Sequence, residues 1–235
     1  MLGRMTAQPP NLFLSFSTSA WPAVRVVETY DIDINCHPDR ALKLVATFKT
    51  GRCSSHTMRA CGKGKPWSTT QPLGFWRDFV DLDLDDAEAV IALIKRRGDP
   101  LGHIDGKNGE TESGLWFGLC GHLRNMAEGW EAEDANRVSH LTDDPGRLNH
   151  VTQWWRHFAL PHYANEISLT VDPQGSTLPA LLPKTLGAYM ILSAGSAFAR
   201  RSPMRRCDHC HSWFELKRSD ARFCTASCRA MSAAK

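Results

Sequence analysis

Hydrophobic and polar positions change rhythm several times along this chain, and each rhythm predicts an element. Residues 24–32 are dominated by β-branched and aromatic side chains and predict a strand. Residues 41–48 read as a second strand. The turn chemistry of Asn35-Cys36-His37-Pro38-Asp39 between them predicts an antiparallel pair. Residues 49–73 lose all periodicity and mix Gly, Ser, Thr and Pro with Lys49, Arg52, Arg59, Lys63 and Lys65, so they read as a long loop. Residues 79–84 alternate and read as a short strand. On that reading Asp81, Asp83, Asp85 and Asp86 form a solvated acidic face rather than a cation site.

A 3.6-residue period then takes over. Asp85-Asp86-Ala87-Glu88 resembles a capping box. Ala89, Val90, Leu93 and Ile94 share one face, and Lys95-Arg96-Arg97-Gly98 supplies the charge and glycine of a helix end. A polar connection over 99–114 leads to a second helix over 115–130, with Leu115, Leu119, Leu123 and Met126 as its stripe. Residues 131–146 are polar and read as exposed. Residues 148–158 predict a third helix, 166–171 a strand, and Asp172-Pro173-Gln174-Gly175 a turn. The last long helix is expected over 183–200, with Pro183 in its first turn and Gly195, Ser196 and Ala197 permitting close packing. The fold class is therefore α+β: a mixed body of antiparallel strands and several helices over 1–201, then a small unit over 202–235.

That small unit carries the most specific chemistry. Cys207 and Cys210 are separated by two residues, Cys224 and Cys228 by three, with thirteen residues between the pairs. Two close cysteine pairs across a short loop have the spacing of a tetrahedral zinc site. Four thiolates fill the coordination sphere, so the expected cofactor is one structural Zn2+ held by Cys207, Cys210, Cys224 and Cys228. His209 and His211 stand beside the first pair as alternative ligands. Residues 213–216 and 221–223 read as a hairpin turning at Lys217-Arg218-Ser219-Asp220, and 225–235 as a short helix. Knuckle, hairpin and helix in that order make a treble-clef-like finger with Trp213, Phe214 and Phe223 as its apolar core. A unit so small needs metal to fold.

The run Arg206-Cys207-x-x-Cys210-x-x-Trp213-Phe214, continuing through Arg218-Ser219-Asp220-Ala221-Arg222-Phe223-Cys224-Thr225-x-x-Cys228-Arg229, is similar to C-terminal fingers of many bacterial and phage proteins. It also resembles the CGNR-type zinc finger that ends bacterial transcription regulators. The resemblance covers about 50 residues and implies zinc binding and a DNA-related role. This chain departs from it in carrying Cys228-Arg229-Ala230-Met231 where that family has Cys-Gly-Asn-Arg, and in a final pair one residue shorter.

Charge sharpens the picture. From Arg200 to Lys235 nine Lys or Arg face three carboxylates, +6, so residues 1–199 carry 19 positive and 22 negative side chains, −3. Four thiolates on one zinc ion add −2, which leaves the loaded finger at about +4. A basic finger on a mildly acidic body suits an anionic partner. Arg205, Arg206, Lys217, Arg218, Arg222 and Arg229 are the candidate phosphate contacts, with DNA the favoured nucleic acid. Two rival functions stand beside this one: a protein-interaction module, and an enzyme whose site lies in the body.

No apolar run reaches membrane-span length and residues 1–10 lack a signal-peptide pattern, so the chain reads as cytoplasmic and bacterial, with no membrane partner. Gly62-Lys63-Gly64-Lys65 lacks the rest of a phosphate loop. Cys53, His56 and Cys61 lack a fourth ligand and read as separate groups in the 49–73 loop. Trp67 and Trp76 are the two tryptophans considered for base stacking.

Overall fold

The computed structural model describes residues 13–33, 52–69, 73–104, 109–131, 138–171 and 179–234. Helices and mainly antiparallel sheets combine in an α+β architecture. In chain order the body comprises strands β1 (Phe13–Leu14), β2 (Phe16–Ala20), β3 (Ala23–Asp33), β4 (Arg52–Cys61) and β5 (Lys65–Thr69), then helices α1 (Trp76–Val80) and α2 (Ala87–Arg97). Next come β6 (Glu110–Glu112), α3 (Phe117–Ala127), β7 (Val138–Ser139), α4 (Pro145–Trp154), α5 (Leu160–Tyr163), β8 (Ile167–Val171), β9 (Pro179–Pro183) and α6 (Leu186–Ala199). The C-terminal unit adds β10 (Met204–Arg206), β11 (Trp213–Glu215) and α7 (Ala226–Ala233).

The strand expected at 24–32 is β3, yet its partner is β4, inside the stretch read as a loop; the strand expected at 41–48 and the turn before it lie outside the described residues. The pairing shifts register between Val26 and Glu28, a bulge that leaves Val27 exposed while Val24 and Val26 pack on the core. β4 carries few apolar residues because its buried polar groups find partners in the tertiary structure. The Ser54 N–H donates to Asp85 Oδ1 at 2.9 Å, the His56 N–H to Ser113 Oγ at 2.9 Å, and Ser55 Oγ accepts from the Gly114 N–H at 3.0 Å. With such partners a polar segment can occupy the middle of a sheet.

The pleat of β4 also dissolves the Cys53–His56–Cys61 grouping. His56 lies on the opposite face from the two cysteines, and eight residues of strand hold Cys53 and Cys61 about 26 Å apart. The strand expected at 79–84 is instead the end of α1 and the turn after it. Phe75, Trp76 and Phe79 have helical spacing, and all three are buried, which decides the local structure over the alternation that follows. The four aspartates therefore have individual tasks, Asp83 accepting from the Asp85 N–H at 3.2 Å. Asp86 caps α2 by accepting from the Glu88 N–H at 2.9 Å, Asp85 holds Ser54, and Asp81 faces the C-terminal unit.

α2 and α3 sit where expected, with Val90, Ile91 and Ile94 buried on one and Leu119, Leu123 and Met126 on the other; Leu115 is exposed. Residues 138–142, read as exposed, contain buried Val138, Ser139, Leu141 and Thr142. Pro183 ends β9 instead of opening a helix. Thr185 is the true cap of α6, accepting from the Ala188 N–H at 3.1 Å. α6 is buried almost all round and packs against α1, α3 and α5. The small residues do permit close packing: a Cβ on Gly195 would stand 2.6 Å from the ring of Trp155.

The end of α6 directs the chain into the C-terminal unit. The Arg201 N–H donates to the Phe198 carbonyl at 3.0 Å and the Ser202 N–H to the Ala197 carbonyl at 2.9 Å, a Schellman motif with Arg201 at φ 51°. Arg201 holds this left-handed position while its guanidinium reaches Asp143 at 2.6 Å. The turn delivers Met204–Arg206 to β7, and β11-β10-β7 form one antiparallel sheet.

Candidate metal centre and its seat on the body

The first cysteine pair sits in the loop that joins β10 to β11. The Cys207 N–H donates to the Ser212 carbonyl and the His211 N–H to the Cys207 carbonyl, both at 2.9 Å, and His211 adopts φ 58°. This knot of backbone bonds brings Cys207 and Cys210 to one side. The second pair flanks a helix start. Thr225 caps α7 by accepting from the Cys228 N–H at 3.2 Å, so Cys228 occupies the first turn, where the helix dipole favours a thiolate. The Cys224 N–H donates to Cys207 Sγ at 3.4 Å and ties the two halves together.

All four sulfurs lie within 4.8 Å of one another, a cluster able to hold a metal ion. Cys210 and Cys224 are 3.6 Å apart and Cys224 and Cys228 3.5 Å. Sulfurs at the corners of a tetrahedron about 2.3 Å from a central ion would be about 3.8 Å apart. A disulfide needs about 2.05 Å, and all four are free thiols. Burial opposes ionisation of Cys210, yet the Ser212 N–H and the neighbouring thiols aim hydrogen bonds at it and bring it down to about 6. Burial pushes the Cys224 thiol up, and its bonds to the other sulfurs push it further. One thiolate wrapped in donating thiols is the arrangement in which a divalent cation can replace protons. His209 and His211 stand outside the cluster.

The hairpin read at 213–223 is different in the structure. β11 pairs upstream with β10, matching Met204 to Glu215, Arg205 to Phe214 and Arg206 to Trp213. Residues 221–223 form no strand; a bond from the Asp208 N–H to the Arg222 carbonyl at 3.0 Å holds them. Nor is Trp213 the centre of a private core. It joins the hydrophobic core of the body, 6% exposed. Its backbone N–H donates to Asp78 Oδ1 at 2.7 Å and its indole N–H to Asp81 Oδ2 at 3.1 Å, while the Arg77 guanidinium lies 3.9 Å over the ring. Burial raises the Asp78 carboxyl above its usual range, against the opposing pull of the Trp213 N–H, Ser212, Arg96 and Arg97. Burial also raises Glu215, against Arg200, whose Nη2 reaches it at 2.6 Å. Gly74 makes the approach possible: a Cβ there would meet Phe214 Cα at 2.8 Å and Glu215 N at 2.9 Å, both backbone. Asp78, Arg77 and Gly74 escaped the sequence reading, and Asp81 was read as part of a solvated face, because Asp78 and Asp81 act on a partner 135 and 132 residues away.

The six candidate phosphate contacts divide. Arg205 is largely covered and lies 3.6 Å from Asp208; Arg206 is turned to Asp81 at 2.7 Å. Lys217, Arg218, Arg222 and Arg229 are exposed. Arg218 pairs with Asp220 at 2.6 Å and Arg222 with Asp208 at 2.7 Å. Trp76 is fully buried, and Trp67 is partly buried among Phe16, Phe75 and Tyr189 with its N–H on the Arg97 carbonyl.

The chain matches no family model, no curated protein and no solved structure. What holds without a relative is the cluster itself: four cysteines able to bind a metal, seated on an α+β body. Among the described residues no helix is long and apolar enough to cross a membrane.

Proposed function

We propose that this is a zinc-binding regulatory protein whose C-terminal finger, residues 202–235, meets nucleic acid. A single Zn2+ in the four-thiolate site is the reading that best suits the donor set, since an all-sulfur tetrahedron favours zinc and leaves no open position for catalysis. The likeness to CGNR-type fingers of bacterial transcription regulators points the same way and favours DNA. The observation that carries the nucleic-acid reading is the asymmetry of the finger. Its inner face is fixed to the body by Trp213, and Lys217, Arg218, Arg222 and Arg229 are exposed. Surface pairs such as Arg218–Asp220 are worth about 0–1 kcal/mol and exchange readily for phosphate.

The test is fluorescence anisotropy of a labelled DNA duplex with zinc-loaded protein across a salt series. Replacing Lys217 and Arg218 together with Ala should weaken binding and reduce the salt slope by about 2, since each phosphate contact contributes about 0.9. Zinc content should stay at one per chain. Unchanged affinity in that variant rejects the assignment. The burial of Trp213 favours a second reading, in which the finger closes the body and serves protein contacts; it expects no salt-dependent nucleic-acid binding.

A further inference from the structure

An open cavity of about 390 Å3 lies where the C-terminal unit meets β7. Arg205, Lys217, Arg218 and His140 line it together with the Ser219 hydroxyl, and among the described residues no carboxylate does. Val138, Pro203 and Leu216 form its apolar wall. The volume falls in the range of small-molecule pockets, about 300–1,000 Å3. Among the described residues Arg205 is incompletely compensated. Asp208 is shared between Arg205 at 3.6 Å and Arg222 at 2.7 Å, and the former distance is too long for a hydrogen bond. Arg205 Nε is buried with no acceptor among the described residues, a costly state for a charged donor. Arg218 pairs with the exposed Asp220 at 2.6 Å.

We infer that this cavity binds a phosphate-bearing ligand of about nucleotide size. Two guanidiniums suit the bidentate geometry of phosphate oxygens, the lysine adds a point charge, and the serine hydroxyl can donate a hydrogen bond. The apolar wall gives the organic part of the ligand a place to lie. The inference goes beyond the nucleic-acid reading, because the cavity recruits His140 and Val138 from the body and admits a free phosphoester as well as a strand phosphate.

Isothermal titration of the full-length zinc-loaded protein with adenosine monophosphate, and separately with inorganic phosphate, tests it at low salt. Binding of adenosine monophosphate is expected. His140→Glu places a carboxylate at the rim without touching the finger, and Arg205→Gln removes the covered charge; each should weaken binding about tenfold or more. Zinc content and the thermal transition of each variant establish that it is folded. Competition with a labelled oligonucleotide identifies the source: displacement marks a seat for a strand phosphate, simultaneous binding a site for a free ligand. Both results support the phosphate pocket. No heat with either probe, or equal affinity in wild type and both folded variants, overturns the inference. Oligonucleotide binding that persists in that case leaves the nucleic-acid reading standing alone.

Discussion

Replacing Trp213 with Ala should unsettle the body and not merely the finger. The indole is 6% exposed and sits in the main core, so its removal leaves a cavity beside α1 that its surroundings can close only in part. Large-to-small changes of a buried Trp cost about 3–5 kcal/mol. The Arg77 ring contact adds about 0.5–2 kcal/mol to what is lost. Trp213→Phe separates the terms. It keeps a buried ring under Arg77, and its only polar loss is the indole bond to Asp81, which still accepts from Arg206 at 2.7 Å. That change should cost about 1–1.5 kcal/mol. Urea denaturation followed by far-ultraviolet circular dichroism reads both values. In a chain of this size the alanine variant should melt about 6–20 °C lower. Hydrogen exchange should show the loss in α1 and α6 as well as in β10 and β11. A cost below about 1 kcal/mol for Trp213→Ala, with exchange in α1 unchanged, would refute the view that the finger is built into the body's core.

Chelation offers a second test. Removing the metal should release α7 and residues 207–212 to rapid exchange, while β10 and β11 stay protected, because β7, Asp78 and Arg200 hold them without metal; simultaneous loss of protection throughout 204–233 would contradict this. The response to pH should separate the same two layers. Asp78 and Glu215 have carboxyl groups raised by burial, so their contribution is fully present below the ordinary carboxylate range and declines as pH rises through their raised values. Acidification therefore does not open the seam through these groups, whereas protons compete with metal for the thiolates. Zinc release, followed with a colorimetric chelator, should precede loss of β10–β11 protection as pH falls; a common midpoint would contradict the assignment.

Legibility of the sequence tracked how local each determinant was. The caps of α2 and α3's apolar stripe repeat within a dozen residues, and both elements were readable. The cysteine pairs were readable for the same reason, since short loops fix their neighbours. β4 was not, because Ser54, Ser55 and His56 look like loop residues until Asp85, Ser113 and Gly114 are brought to them. The pairing of β11 was misread because Met204-Arg205-Arg206 looks like a charged linker. Only contact with β7 turns it into a central strand, with Met204 fully buried.

That misreading has a consequence for the charge of the finger. A free basic module would offer every cation to an anionic partner. Here β10 directs alternate residues to opposite faces, so Arg206 joins Trp213 against Asp81 while Arg205 lies on the side of Val138 and Phe214. The body's acidic character is thus partly local: Asp78 and Asp81 neutralise and orient the inner face of the finger. What remains outside is a smaller set, Lys217, Arg218, Arg222 and Arg229, with Arg205 beneath it at the cavity. An anionic ligand that reaches Arg205 must pass between the 216–219 loop and β7, two segments from distant parts of the chain. Binding there would bridge finger and body. Such a ligand would stabilise the seam by mass action, and it would do so whether or not metal is bound.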